Sequence, residues 1–281
     1  MTATTSFQPA TWSAPLNDAE AGEFIPFLEE LLELAEARIR PLFLSGVAVD
    51  MKADASPVTE ADRAAEAAMR ERITARFPGH GVLGEEFGEQ AGGRYRWVLD
   101  PIDGTRAFIT HCFLFGTLVA LERDDGAGYR PVLGAIAHPA AGVRLIGHLG
   151  ATELRQREGS RRRVQVRADR PLAEATVLAT VPDHSPEQGA DPRVGPILRS
   201  ARLARTWGDC FGYFALATGG ADAMLDPVLS YWDVAAILPV IEGAGAVASA
   251  WNGGSPLARP SLLAATPRLH AQLRRQLDSQ P

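Results

Sequence analysis

Two aspartates three residues apart, Asp100 and Asp103, follow the apolar run Trp97, Val98, Leu99 and enclose Pro101 and Ile102. Such a run reads as a buried strand, and Pro101, which lacks an N–H, ends its ladder. Both carboxylates then sit on the turn that leaves the strand, where an i, i+3 pair can point at one spot. Converging carboxylates repel each other unless a proton or a cation lies between them. Gly104 and Thr105 come next, and their backbone N–H groups at the start of a short helix suit an anion such as phosphate. Taken alone, the stretch reads equally well as an Asp-Gly turn with a helix cap.

Other acids join it. Glu85 stands in Gly84-Glu85-Glu86, and Asp233 in Tyr231-Trp232-Asp233 at the start of a late helix, where its plain structural reading is an N-cap. Glu85, Asp100, Asp103 and Asp233 form an all-oxygen donor set without a His or Cys cluster, which selects a hard cation, Mg²⁺ or Mn²⁺, over zinc. Two divalent ions would cancel the four negative charges and let a phosphate dianion approach. A competing motif, "GHGVLG" at 79–84, satisfies a dinucleotide-binding fingerprint. It lacks a preceding strand and runs into Glu85 and Glu86, so a tight helix-to-strand turn explains its glycines better.

The elements that must position these residues alternate. Apolar spacing predicts an amphipathic helix over 24–44, ended or kinked by Pro41. A second helix is predicted over 59–77, with Thr59 as N-cap and Asp62 as its capping acid. Strand-like runs at 96–99, 115–121, 131–138 and 143–148 suggest an antiparallel meander. Beyond 157–159 shorter strands (near Val164, 176–180, 202–206, 223–225 and 262–265) alternate with helices (192–200, 208–218, 232–243 and 267–277). The fold class is α/β, read as two sheet-plus-helix halves over 21–155 and 156–281 with a ligand cleft between them, after a flexible arm over 1–20.

Composition sets the bounds. The chain has 281 residues, 46% hydrophobic and 22% charged, enough to bury a sizeable core. Cys112 and Cys210 form no paired grouping, and the first residues show no signal-peptide pattern, which together suggest a cytoplasmic protein. The apolar stretch 234–251 is interrupted by Pro239 and Glu242, so no membrane partner is expected. A net charge of -6 argues against a nucleic-acid partner, and the basic run "SRRRVQVR" at 160–167 reads as a solvated strand edge.

The motifs "GEE", "DPIDGT" and "WD", in this order and spacing, resemble the inositol monophosphatase superfamily of Mg²⁺-dependent, lithium-sensitive phosphatases over roughly residues 24–270. The resemblance implies a layered α+β sandwich of alternating helices and sheets, usually a homodimer, acting on a small-molecule phosphate ester. It implies one Mg²⁺ at Glu85, Asp100 and the Ile102 carbonyl, a second at Asp100, Asp103 and Asp233, and a looser third shared by Glu85. Phosphate would lie on Gly104 and Thr105. Glu85 counts among the catalytic residues, and the family's TxxD matches Thr59 and Asp62, so that Asp62 and Thr105 activate the attacking water. Lys52 matches a family lysine near the same site.

Substrate choice must come from elsewhere. "DPIDGTRAFIT" at 100–110 and "WGDCFGYFALATGGADAMLD" at 207–226 resemble the histidinol-phosphate phosphatase branch, which puts Arg106, Asp209 and Asp226 on the substrate side. Histidinol phosphate carries an ammonium and an imidazole, which extra carboxylates suit. The structural alternatives are Asp209 as a helix cap and Asp226 as a turn residue before Pro227. His111-Cys112 departs from the branch's usual Gly-Arg. The competing functions are an inositol 1-phosphate or broad monophosphatase and a non-catalytic binding protein on the same scaffold. Intact carboxylates and an acidic surface oppose the last.

Overall fold

A capping box starts the first helix. The Asn17 side chain accepts from the Glu20 N–H at 2.9 Å while Glu20 accepts from the Asn17 N–H at 3.0 Å. In this computed structural model, which describes residues 11–46, 48–51, 57–180, 192–258 and 261–278, helix α1 spans Asp18–Ile39. Arg40 keeps helical backbone as its C-cap, and Pro41, which has no N–H to donate, ends the ladder. The helix predicted over 24–44 therefore begins and ends earlier than expected. Lys52 lies outside the described residues.

The flexible arm expected over 1–20 is corrected for residues 11–20. The Trp12 indole N–H donates to the Ala248 carbonyl at 2.8 Å, and the backbone N–H groups of Trp12 and Ser13 donate to Glu242 at 2.7 and 2.9 Å. Polar composition misled because the anchoring carboxylate lies 230 residues away along the chain.

Strands β1 (Val49–Met51) and β2 (Pro57–Thr59) pair and feed helix α2 (Glu60–Arg76). Then come β3 (Gly81–Gly84), β4 (Gly88–Gln90), β5 (Tyr95–Asp103) and the short helix α3 (Thr105–Ile109). The expected meander follows as β6 (Gly116–Asp124), β7 (Tyr129–His138), β8 (Val143–His148), β9 (Ala151–Gln156) and β10 (Arg161–Val164). These form an eight-stranded sheet in the order β10-β9-β8-β7-β6-β5-β3-β4, antiparallel except for β3 beside β5. The strand near Val164, expected with the second half, is the edge of this first sheet. No helix follows β3, which removes the dinucleotide-binding context from "GHGVLG".

The chain then builds β11 (Thr176–Ala179), α4 (Val194–Ser200), β12 (Leu203–Arg205), α5 (Asp209–Ala217), β13 (Ala223–Asp226), α6 (Tyr231–Gly243), β14 (Val247–Ser249), β15 (Leu262–Ala265) and α7 (Pro267–Asp278). Its five strands run in the order β12-β11-β13-β15-β14.

Strand alternation divides the interior. On β5, Trp97 and Leu99 pack with α1 and α2 through Leu28, Leu31 and Met69, while Val98 packs on the opposite face with Ile237 and Val240 of α6 and Tyr213 of α5. The second sheet is covered by α5 and α6 on one face and by α4 and α7 on the other, where Ile197, Leu269 and Leu273 meet Val177 and Leu225. The result is helix, sheet, helix, sheet, helix: the layered α/β sandwich that the resemblance implied. No helix among the described residues is long and apolar enough to cross a membrane.

Candidate active site

Residues 100 and 103 of a regular strand would face opposite sides of the sheet. The register between β5 and β6 shifts between the Asp100–Leu118 and Asp103–Gly116 pairs, a bulge of one extra residue on β5. That bulge turns both carboxylates to one side, and the Thr117 hydroxyl donates to the Pro101 carbonyl at 2.8 Å to satisfy its backbone. Gly104 leaves the turn at φ +77°, a left-handed conformation that costs glycine no Cβ clash. Asp100, Asp103 and Asp233 thereby bring carboxylate oxygens within 4.8 Å of one another.

Two of the candidate residues are helix-capping acids. Asp62 accepts from the Thr59 N–H at 2.8 Å and from the Thr59 hydroxyl at 2.6 Å, and Asp233 accepts from the Ser230 N–H at 2.7 Å. Each of these bonds uses Oδ2, leaving Oδ1 for the site. The capping role of both residues is thus met by one oxygen, and it does not occupy the other. The charge of Glu85 acts on Asp62, Asp100 and Asp233, which places the four together.

Sequence reasoning missed Glu66, which holds the Glu85 turn. Its fully buried carboxylate accepts from the N–H groups of Glu86 (2.8 Å) and Phe87 (3.2 Å) and from Arg70 Nε (2.7 Å). A Cβ on Gly84 would come within 2.0 Å of Glu66 Oε1, so glycine is required there. The available signal was spacing: Glu66 lies one helical turn after Asp62, on the same face of α2.

Burial, then the charges of Glu85, Asp103 and Asp233, pushes the Asp100 carboxyl well above the usual carboxylate range. Asp103 is raised by burial, then by Asp209 and Asp233, although the Cys210 N–H donates to it at 2.5 Å. Asp233 rises to about 7, again chiefly by burial. Asp100 Oδ1 is buried with no hydrogen-bond partner among the described residues. A buried oxygen without a donor, crowded by like charge in an all-oxygen set, fits a hard divalent cation.

On the other side, Asp209 lies against the same turn: a Cβ on Gly104 would come within 2.9 Å of Asp209 Oδ2. It is not the helix cap. Gly208 occupies that position and no side chain caps α5. Burial raises the Asp209 carboxyl, and the charge of exposed Arg106 opposes the rise. Asp226 is 1% exposed, accepts from the Tyr213 hydroxyl at 2.7 Å and from Thr180, and is raised to about 7 by burial. Thr180 and Tyr213 carried no sequence signal. The Thr105 hydroxyl donates to the Ile102 carbonyl at 3.1 Å, while the Ile102 side chain packs in the first core.

A model of the inositol monophosphatase family matches residues 23–281. A histidinol-phosphatase of Chlorobaculum parvum is 38% identical over 234 residues, 81% of this chain and 87% of that protein. One from Streptomyces coelicolor is 34% identical over 227 residues, covering 80% of this chain and 85% of that one. Among solved structures, an inositol monophosphatase from Zymomonas mobilis matches with a TM-score of 0.78 and 33% identity, over 92% of this chain and 98% of that one. With motifs, layers and carboxylate geometry in agreement, the chain belongs to the inositol monophosphatase family.

Proposed function

We propose that this chain hydrolyses L-histidinol phosphate to L-histidinol and phosphate, a reaction of histidine biosynthesis, in the cytoplasm and with Mg²⁺. Family membership makes it a phosphoric monoester hydrolase. The choice of ester rests on one observation: a negative side chain, Asp209, lies against the Gly104 turn, where an ammonium gains more from it than a neutral hydroxyl does. The histidinol-phosphatase relatives support the same choice.

Glu85, Asp100 and the Ile102 carbonyl would hold one ion, Asp100, Asp103 and Asp233 a second, and Glu85 would share a third; Mn²⁺ suits the same donors. When bound there, the ions supply Lewis acidity that neutralises phosphoryl charge and lowers the pKa of water. The N–H groups of Gly104 and Thr105 hold the phosphate oxygens. Asp62, through the oxygen not committed to Thr59, takes the proton of the attacking water, and the Thr105 hydroxyl orients that water. A new P–O bond forms as the ester P–O bond breaks, and the histidinol oxygen ends with a proton. Asp209 binds the substrate's ammonium and Arg106 flanks it. Asp226, which the resemblance puts on the substrate side, is bonded to Tyr213 and Thr180 and acts through Asp209.

Phosphate release from L-histidinol phosphate and inositol 1-phosphate at matched concentrations, with Mg²⁺ and with EDTA, tests the reading. A tenfold preference for histidinol phosphate in kcat/KM, about 1.4 kcal/mol, supports it. Preference for inositol phosphate overturns the substrate and favours the second reading, to which the solved inositol monophosphatase at 33% identity lends weight.

A further inference from the structure

Asp209 stands at φ +50°, one of three non-glycine residues with positive φ among the described residues. Left-handed backbone is costly for a side chain with a Cβ, and such residues persist only where the surroundings over-determine them. Three hydrogen bonds do so here. The Asp209 N–H donates to Thr180 Oγ1 at 3.0 Å, and the Thr180 hydroxyl is bonded to Asp226, which also accepts from the Tyr213 hydroxyl at 2.7 Å. A backbone N–H only donates, so the Thr180 oxygen accepts from Asp209, which leaves its own proton for Asp226. Gly208 permits the close approach, since a Cβ there would come within 2.4 Å of Thr180 Oγ1.

The consequence falls on the Gly104 turn. With its backbone held, Asp209 sets a fixed negative charge beside the N–H groups assigned above to phosphate. The phosphate of an ester whose alcohol part is neutral meets that charge as uncompensated repulsion, whereas an ester whose alcohol part bears an ammonium brings it a partner. We infer that Thr180, Asp226 and Tyr213 form a positioning relay that holds Asp209 in left-handed backbone, so that its carboxylate selects phosphate esters bearing an ammonium over those with a neutral alcohol part. This rests on the reading of the Gly104 turn as the phosphate end of the site.

The test uses the full chain with Mg²⁺ and two matched ester pairs: L-histidinol phosphate with inositol 1-phosphate, and 2-aminoethyl phosphate with ethyl phosphate. The wild type should favour the ammonium-bearing member by tenfold or more in kcat/KM. Asp209→Asn tolerates left-handed backbone and removes only the charge, and Thr180→Val removes only the hydroxyl. Each should cut the preference about tenfold through KM of the ammonium-bearing ester, and Thr180→Ser should restore it. A crystal structure of Thr180→Val should show Asp209 at negative φ. Where Thr180→Val fails to fold, Tyr213→Phe should lower the preference about threefold.

Equal losses on both members of a pair, a Thr180→Val structure with Asp209 still left-handed, or a wild type without preference in either pair overturns the relay. If 2-aminoethyl phosphate is favoured but histidinol phosphate is not cleaved, the histidinol reading falls and the relay stands.

Discussion

Two irregular turns build the site, and they meet the same backbone demand in opposite ways. In the turn from Asp100 to Thr105 the left-handed position falls to Gly104, at φ +77°, where no Cβ resists it. In the turn into α5, Gly208 keeps an extended backbone at φ -92° and Asp209 takes the left-handed position at +50°. The first turn is written almost wholly in consecutive residues. The second needs Thr180 from the end of β11 and Asp226 from the end of β13. Placing a carboxylate where glycine would be comfortable stores strain, and distant hydrogen bonds hold it.

The largest expected effect is on the first turn. Asp100→Asn should lower kcat/KM about 10³-fold, since it removes a charge that the reaction needs. The same change should raise the melting temperature of the metal-free protein, because Glu85, Asp103 and Asp233 no longer face a like charge. Phosphate release and thermal circular dichroism check both. Ordinary activity would break the assignment of this turn to the chemistry.

Acid should act on His138, which packs against α5, the helix that the second turn enters. Its Nδ1–H donates to the Phe115 carbonyl at 2.8 Å, its Nε2 is buried without a partner among the described residues, and its ring meets Phe211 and Phe214 of α5. Burial lowers its pKa from 6.5 to about 4. Below pH 6.5 the unfolded chain therefore binds a proton that the folded chain refuses. The contribution is complete above pH 6.5, shrinks as pH falls toward 4, and should have lost about 2 kcal/mol by pH 5. Denaturant titrations across this range should flatten in His138→Gln. An unchanged slope would separate His138 from the packing of α5.

Smaller effects sharpen the contrast between the glycine turn and the aspartate turn. Gly104→Ala should destabilise by about 1–2 kcal/mol, because it adds left-handed strain and places a Cβ 2.9 Å from Asp209 Oδ2. Asp209→Gly should stabilise by about 1 kcal/mol, releasing strain and a buried like charge while surrendering selectivity. Urea titration of the two variants should give opposite signs. A destabilised Asp209→Gly would mean that the second turn is not strained.

How much of this was legible follows from where the controlling groups lie. The stripe Phe24, Phe27, Leu28, Leu31 marked α1, and Thr59 with Asp62 marked the start of α2, because both signals are local. The short strands β3 and β4 were missed: few residues leave little period to read, and the 79–84 glycines read as a helix-to-strand turn. Residues 11–17 looked loose for the same reason, since Glu242, their anchor, is remote in sequence. Glu66 looked like any acid on a helix until the Gly84 turn closed over it.

By itself the sequence determined the helix and strand periods, the all-oxygen donor set and the glycine after Asp103, each a matter of residue type and near-neighbour spacing. Only the tertiary structure decided that Asp209 bends back over Gly104 and that Asp226 is enclosed. The bonds responsible join residues 29 apart, from Asp209 to Thr180, and 107 apart, from Cys210 to Asp103. Such contacts form only once both sheets have packed on α5 and α6, and no local pattern encodes them.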